Sequence, residues 1–240
     1  MQKFIKNLKK ELKKLFEIEN TGHDYSHLER VFNNALKIQE AEGGDLYVVA
    51  VAALVHDIHR LMAVKLGHYV EPEDSVDYAK EILLECGVDL NKLDQILDIV
   101  KNHDNKKDKN FPLETLIIQD ADELDAIGEI GIKRTLKYCK THNIPTSANV
   151  PLDCEEYIPD LNPISTCHYV YRTMIPNAKK LYTKTAKKLA ENKIKILEDF
   201  IKKNYNTNWF RRSKWNRQFY FQMWLETYMT RQMTALLMQI

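Results

Sequence analysis

Residues 46–55, LYVVAVAALV, carry no charge and end on the doublet His56-Asp57. A segment apolar on every face belongs inside a packed core, and the preceding turn Glu42-Gly43-Gly44-Asp45 marks it as a helix capped at its start. Other elements must therefore wrap around it. The polar doublet enters that core along with the helix that carries it. Burying an imidazole and a carboxylate is costly unless each finds a partner, so the doublet calls for one, and a cation would supply it.

The flanking sequence supplies helices of the required kind. Phe4, Leu8, Leu12, Leu15 and Phe16 recur at helical spacing among lysines, and Leu28, Val31, Phe32, Ala35 and Ile38 do the same in a second helix that starts near Asp24 or Ser26. Further helices are expected over about 73–86, 89–104, 113–126, 128–141 and 184–203, with Gly87 and Pro112 as punctuation. Lys65 and His68 stand in a stretch with no clear helical pattern and could line the mouth of a site. Residues 143–165 hold Pro145, Pro151, Pro159 and Pro163, and are expected as a long surface loop of the sort that serves as a lid. Alternating strand patterns are almost absent, so the expected fold class is all-α: a helical bundle over residues 1–205, with an extension over 206–240. That extension is rich in aromatics, methionine and arginine, and Leu225, Met229, Met233, Leu236, Leu237 and Ile240 would share one helical face. It is expected to pack on its own domain or to join a second copy as a homodimer, with a membrane surface as the other reading.

The bulk properties narrow the classes. A chain of 240 residues can bury a core without disulfide staples, and a net charge of +1 gives no field that would favour a nucleic-acid partner. Cys86, Cys139, Cys154 and Cys167 form no C-x-x-C pair, which speaks against a zinc ribbon or a disulfide framework and for reduced thiols in the cytoplasm. The basic N-terminus is amphipathic rather than continuously apolar, unlike a secretory signal, and no apolar run is read as long enough for a transmembrane segment.

Two further polar strings accompany the doublet. GHDYSHLERV opens the helix before the apolar one, and QDADELDAIG lies on the helix after Pro112. Nitrogens and oxygens from three helices make a mixed site for one divalent ion, Mn, Mg, Co, Ni, Fe or Zn; the ligand types alone do not identify it, and Mn²⁺ or Mg²⁺ is the expectation. Each string alone has a plainer reading, as a packed histidine or a solvated acidic face. What raises the odds is the order: a histidine, roughly 30 residues to His-Asp, then roughly 65 to an aspartate flanked by apolar residues.

GHDYSHLERV, AALVHDIHR and IIQDADELDAIGEIGIKRT resemble the H…HD…D signature of the HD-domain phosphohydrolases, in particular the small stand-alone bacterial-type branch in which nucleotide pyrophosphohydrolase activity has been described. The resemblance runs from about Thr21 to Tyr138, and HYVYRTMIPNAKKLYTKTAKKLAENKIKILEDF looks like that branch's closing helices. It implies four metal ligands: His27 rather than His23, because x-x-R-V follows it; His56 and Asp57; and Asp122 rather than Asp120 or Asp125, because x-Leu follows it. His23-Asp24 is a candidate pair for orienting a ligand. The chain departs from the branch at Glu123, where a basic residue is usual, and at Ile58-His59-Arg60, where related enzymes often place an acid.

The implied reaction is hydrolysis of a phosphoanhydride or phosphoester in a nucleotide, foremost a nucleoside triphosphate to a monophosphate and pyrophosphate. A phosphomonoesterase or cyclic phosphodiesterase on the same metal stays open, as does a non-catalytic nucleotide-binding or scaffolding protein. In the catalytic reading Asp57 orients or deprotonates water, and His103 serves as an acid, a base or a phosphate partner, the plainer account being a histidine favoured by its helix dipole. His59 is either the proton donor to the leaving group or a polar residue at a helix end. Arg30 and Arg134, with Lys133 beside the latter, are the expected phosphate contacts, against a competing account in which an arginine pairs with Asp120 or Asp125.

Overall fold

The described residues fold into helices with no strand among them; the computed structural model describes residues 1–19, 22–105, 110–158 and 163–205. In chain order these are α1 (Gln2–Leu15), α2 (Tyr25–Glu42), α3 (Leu46–Val55), α4 (Ile58–Leu66), α5 (Val76–Cys86), α6 (Leu90–Asn102), α7 (Leu113–Ala126), α8 (Gly128–Thr141), α9 (Thr166–Tyr169), α10 (Ile175–Ala178) and α11 (Lys184–Asn204). The extension over 206–240, with the helix and second-copy contact expected for it, lies outside the described residues.

The apolar run is the axis of the bundle. Every residue of α3 from Val48 to Val55 is buried, against α2 on one side and against α6, α7 and α1 on others. Burial of each valine or leucine there contributes about 1.5–3 kcal/mol, which is why no position from Val48 to Val55 can be polar. Asp45 opens α3 by accepting from the N–H groups of Tyr47 (2.9 Å) and Val48 (3.1 Å), two donors that a first turn leaves without partners.

At the far end the helix is interrupted. The His56 N–H still donates to the Ala52 carbonyl (2.9 Å), but Asp57 leaves helical geometry (φ −93, ψ 19) and α4 begins afresh. Residues 58–66, which showed no clear pattern in sequence, are thus helical. Only Ile58, His59 and Leu61 of α4 are buried, too few to repeat. Lys65 and His68 are turned elsewhere, Lys65 donating to the Tyr78 hydroxyl and His68 bonding the Tyr69 carbonyl. By length and composition Leu46–Leu66 would pass for a membrane span, contrary to the expectation that no run would. Burial of 72% of its apolar window inside the bundle accounts for that composition.

The proline-rich segment is more firmly attached than a free lid. The N–H groups of Thr166 and Cys167 donate to the carbonyls of Pro145 and Thr146 (3.0 Å each), and His168 links Ser165 Oγ (2.7 Å) to the Pro151 carbonyl (3.0 Å). Helix also resumes at Thr166 rather than at Lys184. Val170, Met174 and Ala178 bury one face across α9, a π-helical turn at Val170–Met174, and α10.

One buried carboxylate ties the last long helix to the middle of the bundle. Asp120 on α7 accepts from the N–H groups of Tyr182 (2.8 Å) and Thr183 (2.7 Å) and from Thr183 Oγ1 (2.7 Å), and Thr183 in turn caps α11. Asp120→Ala strands three donors at once. It is expected to lower stability by about 3 kcal/mol in urea unfolding followed by circular dichroism, while leaving bound metal unchanged.

Candidate metal centre

Three helices bring donor atoms to one point. α2 delivers His27 one turn after Asp24, whose carboxylate caps the helix by accepting from the His27 N–H (3.1 Å). The end of α3 delivers His56 and Asp57, and α7 delivers Asp122. His27 Nε2 stands 3.2 Å from Asp57 Oδ2, 3.3 Å from His56 Nε2 and 3.5 Å from Asp122 Oδ1. His56 Nε2 stands 3.7 and 4.0 Å from the same two oxygens. Ligand atoms bound about 2.1 Å from a common ion lie about 3–4 Å from one another, and each of these five separations falls in that range.

The rings are presented for that use. His56 Nδ1–H donates to the Ala53 carbonyl (3.0 Å) and His27 Nδ1–H donates to Asp125 Oδ2 (2.8 Å), which turns both Nε2 atoms toward the shared point. Burial pushes His56 down to about 4 and keeps it neutral, with its lone pair available. Burial also opposes charge on His27, but its bonds to Asp125 and Asp57 outweigh that and push it up to about 10. Asp57 stays well below the usual carboxylate range, because His23, His56 and His103 together overcome its burial. The cluster thus draws positive charge to His27 Nε2. A divalent cation taken there displaces a proton, so its uptake strengthens as pH rises. The donor set, two imidazoles and two carboxylates with no thiolate, fits a divalent ion of nitrogen and oxygen preference.

The four residues implied as ligands are brought together, while the other expected site residues divide. Arg30 is not placed to grip a phosphate: Nε and Nη2 donate to Asp125 (2.6 and 3.0 Å) and Nη1 donates to Ser26 Oγ (2.8 Å). It holds Asp125, which holds His27. Between them His27 and Arg30 keep the Asp125 carboxyl below its ordinary value against the effect of burial. Lys133 is exposed on α8 and lies outside the lining of the neighbouring cavity. Arg134 does line it, donating to His23 Nε2 (3.2 Å) and reaching Asp125 (3.4 Å).

His103 Nε2 lies 3.6 Å from Asp57 Oδ1, with Nδ1–H donating to the Val100 carbonyl (2.7 Å). His59 Nδ1 lies 3.7 Å from that oxygen, in a wholly buried ring with no hydrogen-bond partner at either nitrogen. Burial pushes His59 down to about 3, so near neutral pH its ring is the uncharged imidazole, with one N–H and one lone pair. Glu123 lines a separate cavity of about 110 Å³ with Gln119 and Asp120.

Sequence reasoning undervalued two residues. His23 Nδ1–H donates to Asp57 Oδ2 (2.6 Å), while its neighbour Asp24 is spent on the cap; the His-Asp adjacency hid this division. Arg60, one turn after His56, places Nε 3.9 Å from Asp57 Oδ1. With Arg134 these two form the polar wall of a cavity of about 390 Å³, and Tyr138, Ile144, Pro163 and Tyr169 give it an apolar and aromatic one. Its volume is that of a small-molecule site.

Residues 24–127 match the model of the HD domain. The uncharacterized protein YpgQ of Bacillus subtilis is 39% identical over 125 residues, 50% of this chain and 58% of its own length, so the match spans little more than half of that relative. Among solved structures, a Listeria innocua protein is 30% identical with a TM-score of 0.63, covering 84% of this chain and 93% of its own. An HD-superfamily hydrolase from Bacillus thuringiensis is 27% identical (TM-score 0.64; 84% and 95%). YpgQ in complex with ADP is 26% identical over the aligned structure (TM-score 0.64; 84% and 93%).

The pairing of Arg30 separates a positioning role from a substrate contact. Arg30→Met is expected to weaken Mn²⁺ affinity about tenfold to a hundredfold by isothermal titration calorimetry, because Asp125 then no longer fixes His27. A phosphate contact would leave that affinity unchanged.

Proposed function

The chain belongs to the HD-domain family of hydrolases, and on that footing we propose that it hydrolyses a phosphoanhydride or phosphoester bond in a nucleotide, foremost a nucleoside triphosphate to a monophosphate and pyrophosphate. The observation that carries this reading is the juxtaposition of a four-donor cluster with a cavity walled by His23, Arg60 and Arg134. The ADP bound by the Bacillus subtilis relative supports a nucleotide as the occupant.

A divalent cation held by His27, His56, Asp57 and Asp122 would supply positive charge to phosphoryl oxygens and would acidify water. The rest is the work of side chains. Asp57 accepts a hydrogen bond from the attacking water and orients it, and His23, on the cavity wall, holds the same carboxylate by donating to Oδ2. Arg60 and Arg134 grip the phosphoryl oxygens through paired N–H groups, a geometry that lysine cannot supply. The rings of Tyr138 and Tyr169 offer faces on which a base can stack.

Incubating the Mn²⁺-loaded chain with a panel of nucleoside triphosphates is expected to yield pyrophosphate rather than orthophosphate, with turnover at background in Asp122→Asn. Orthophosphate alone would instead favour a phosphomonoesterase, and loss of signal with every divalent metal would sink the hydrolase reading. Nucleotide binding without turnover would make the chain a binding module. Arg134→Ala is expected to raise KM about tenfold to a hundredfold, the value of a lost charge-assisted pair, with Mn²⁺ affinity changed only slightly.

A further inference from the structure

The first helix has no part in the metal centre, and its charge is unlike that of the rest of the chain. α1 carries six lysines, Lys3, Lys6, Lys9, Lys10, Lys13 and Lys14, against Glu11 alone, in a protein whose net charge is only +1. At about 100° per residue these lysines fill one continuous arc of about 140° around the helix. Glu11 falls outside that arc, beside Lys14, which it pairs at 3.0 Å. Among the described residues the other five lysines make no ion pair, and all of them but Lys9 are exposed. Lys6 with Lys10, and Lys9 with Lys13, stand four residues apart, where like charges repel. The arc therefore costs the free molecule stability and leaves it in want of an anionic surface.

An apolar feature runs along one margin of the arc. An open groove of about 390 Å³ is lined by Met1, Gln2, Ile5, Lys6 and Lys9 and by Phe32 of α2. Lys9 Nζ stands 3.9 Å from the centre of the Phe32 ring, and Met1 is 54% exposed. Charge decides what such a groove can hold. Residues 206–240 bring five basic residues against Glu226 alone, so neither that extension nor a second α1 is complementary to the lysines. An acidic peptide lying in the groove would meet Lys6 and Lys9 and leave the rest of the arc in water. A lipid surface meets both parts, since headgroup phosphates face the long, flexible lysines while an acyl chain enters the groove.

We propose that α1 docks the protein on an anionic phospholipid bilayer, with the lysine arc on the headgroups and an acyl chain against Ile5 and Phe32. No residue of α1 lines the cavity beside the metal centre, so lipid and nucleotide do not compete for the same side chains.

The test sediments the full chain with sucrose-loaded vesicles of equal parts phosphatidylcholine and phosphatidylglycerol, with circular dichroism to confirm folding. Wild type is expected to pellet with these vesicles and not with phosphatidylcholine alone, and added salt should release it. Lys3→Gln, Lys6→Gln, Lys10→Gln and Lys13→Gln combined should weaken partition about a hundredfold. Ile5→Gln keeps every charge and should weaken it about threefold to tenfold; if the lysine variant does not fold, Ile5→Gln carries the test. No pelleting with the anionic vesicles overturns the proposal. Unchanged partition in the lysine variant would assign binding to residues 206–240 and overturns it as well. Partition that needs the lysines but ignores Ile5→Gln overturns it by leaving a charge contact with no inserted chain. Binding to polyglutamate without vesicle partition would assign the arc to an acidic peptide instead.

Discussion

The structure depends on the electrostatic cost of placing a carboxylate at the end of its most apolar helix. Asp57 is almost wholly buried, and its ionised form survives because histidines surround it on both oxygens. Most of the site follows from that need. α2 must cross α3 to supply His27 and α6 must end where His103 can reach, while α7 must run alongside to supply Asp122 and Asp125. The bundle's packing and the cluster are one arrangement, since the elements that cover α3 also deliver the polar partners for its final residues.

A second layer sets the orientation of the first. Arg30 binds Asp125 in two-pronged fashion, Asp125 takes the Nδ1 proton of His27, and backbone carbonyls do the same for His56 and His103. Each ring is held by one nitrogen so that the other can be used. This is the arrangement that a site for cations requires, because neutral imidazoles free to rotate would present the wrong atom.

How much of this was readable in the sequence differs from residue to residue. The central helix and the doublet could be read directly, because ten uncharged residues ending in His-Asp leave few alternatives. His27 could not be chosen over His23 from spacing, and the structure explains why: both reach Asp57 Oδ2, His27 from within the core and His23 from the cavity wall. The fate of Arg30 was hidden because its partner Asp125 lies 95 residues away, and helical periodicity gives neighbours along a helix but not across the bundle. α4 escaped notice because a nine-residue helix with three buried positions has no period to detect. The helical segment after Ser165 was masked by the prolines before it and by Pro176, which sits where a helix start tolerates it.

The acidic string on α7 shows how far one helix can be specialised. Asp120 fixes the start of α11, Asp122 faces His27 and His56, and Asp125 locks His27, three tasks spread around one short stretch of helix. The helix therefore has a single rotational phase in which all three carboxylates reach their partners. Inserting or deleting one residue within it turns the later positions by about 100° relative to the earlier ones. Such a change would uncouple the cluster from the C-terminal helix without altering the composition of either, so the number of residues between these aspartates matters as much as their identity.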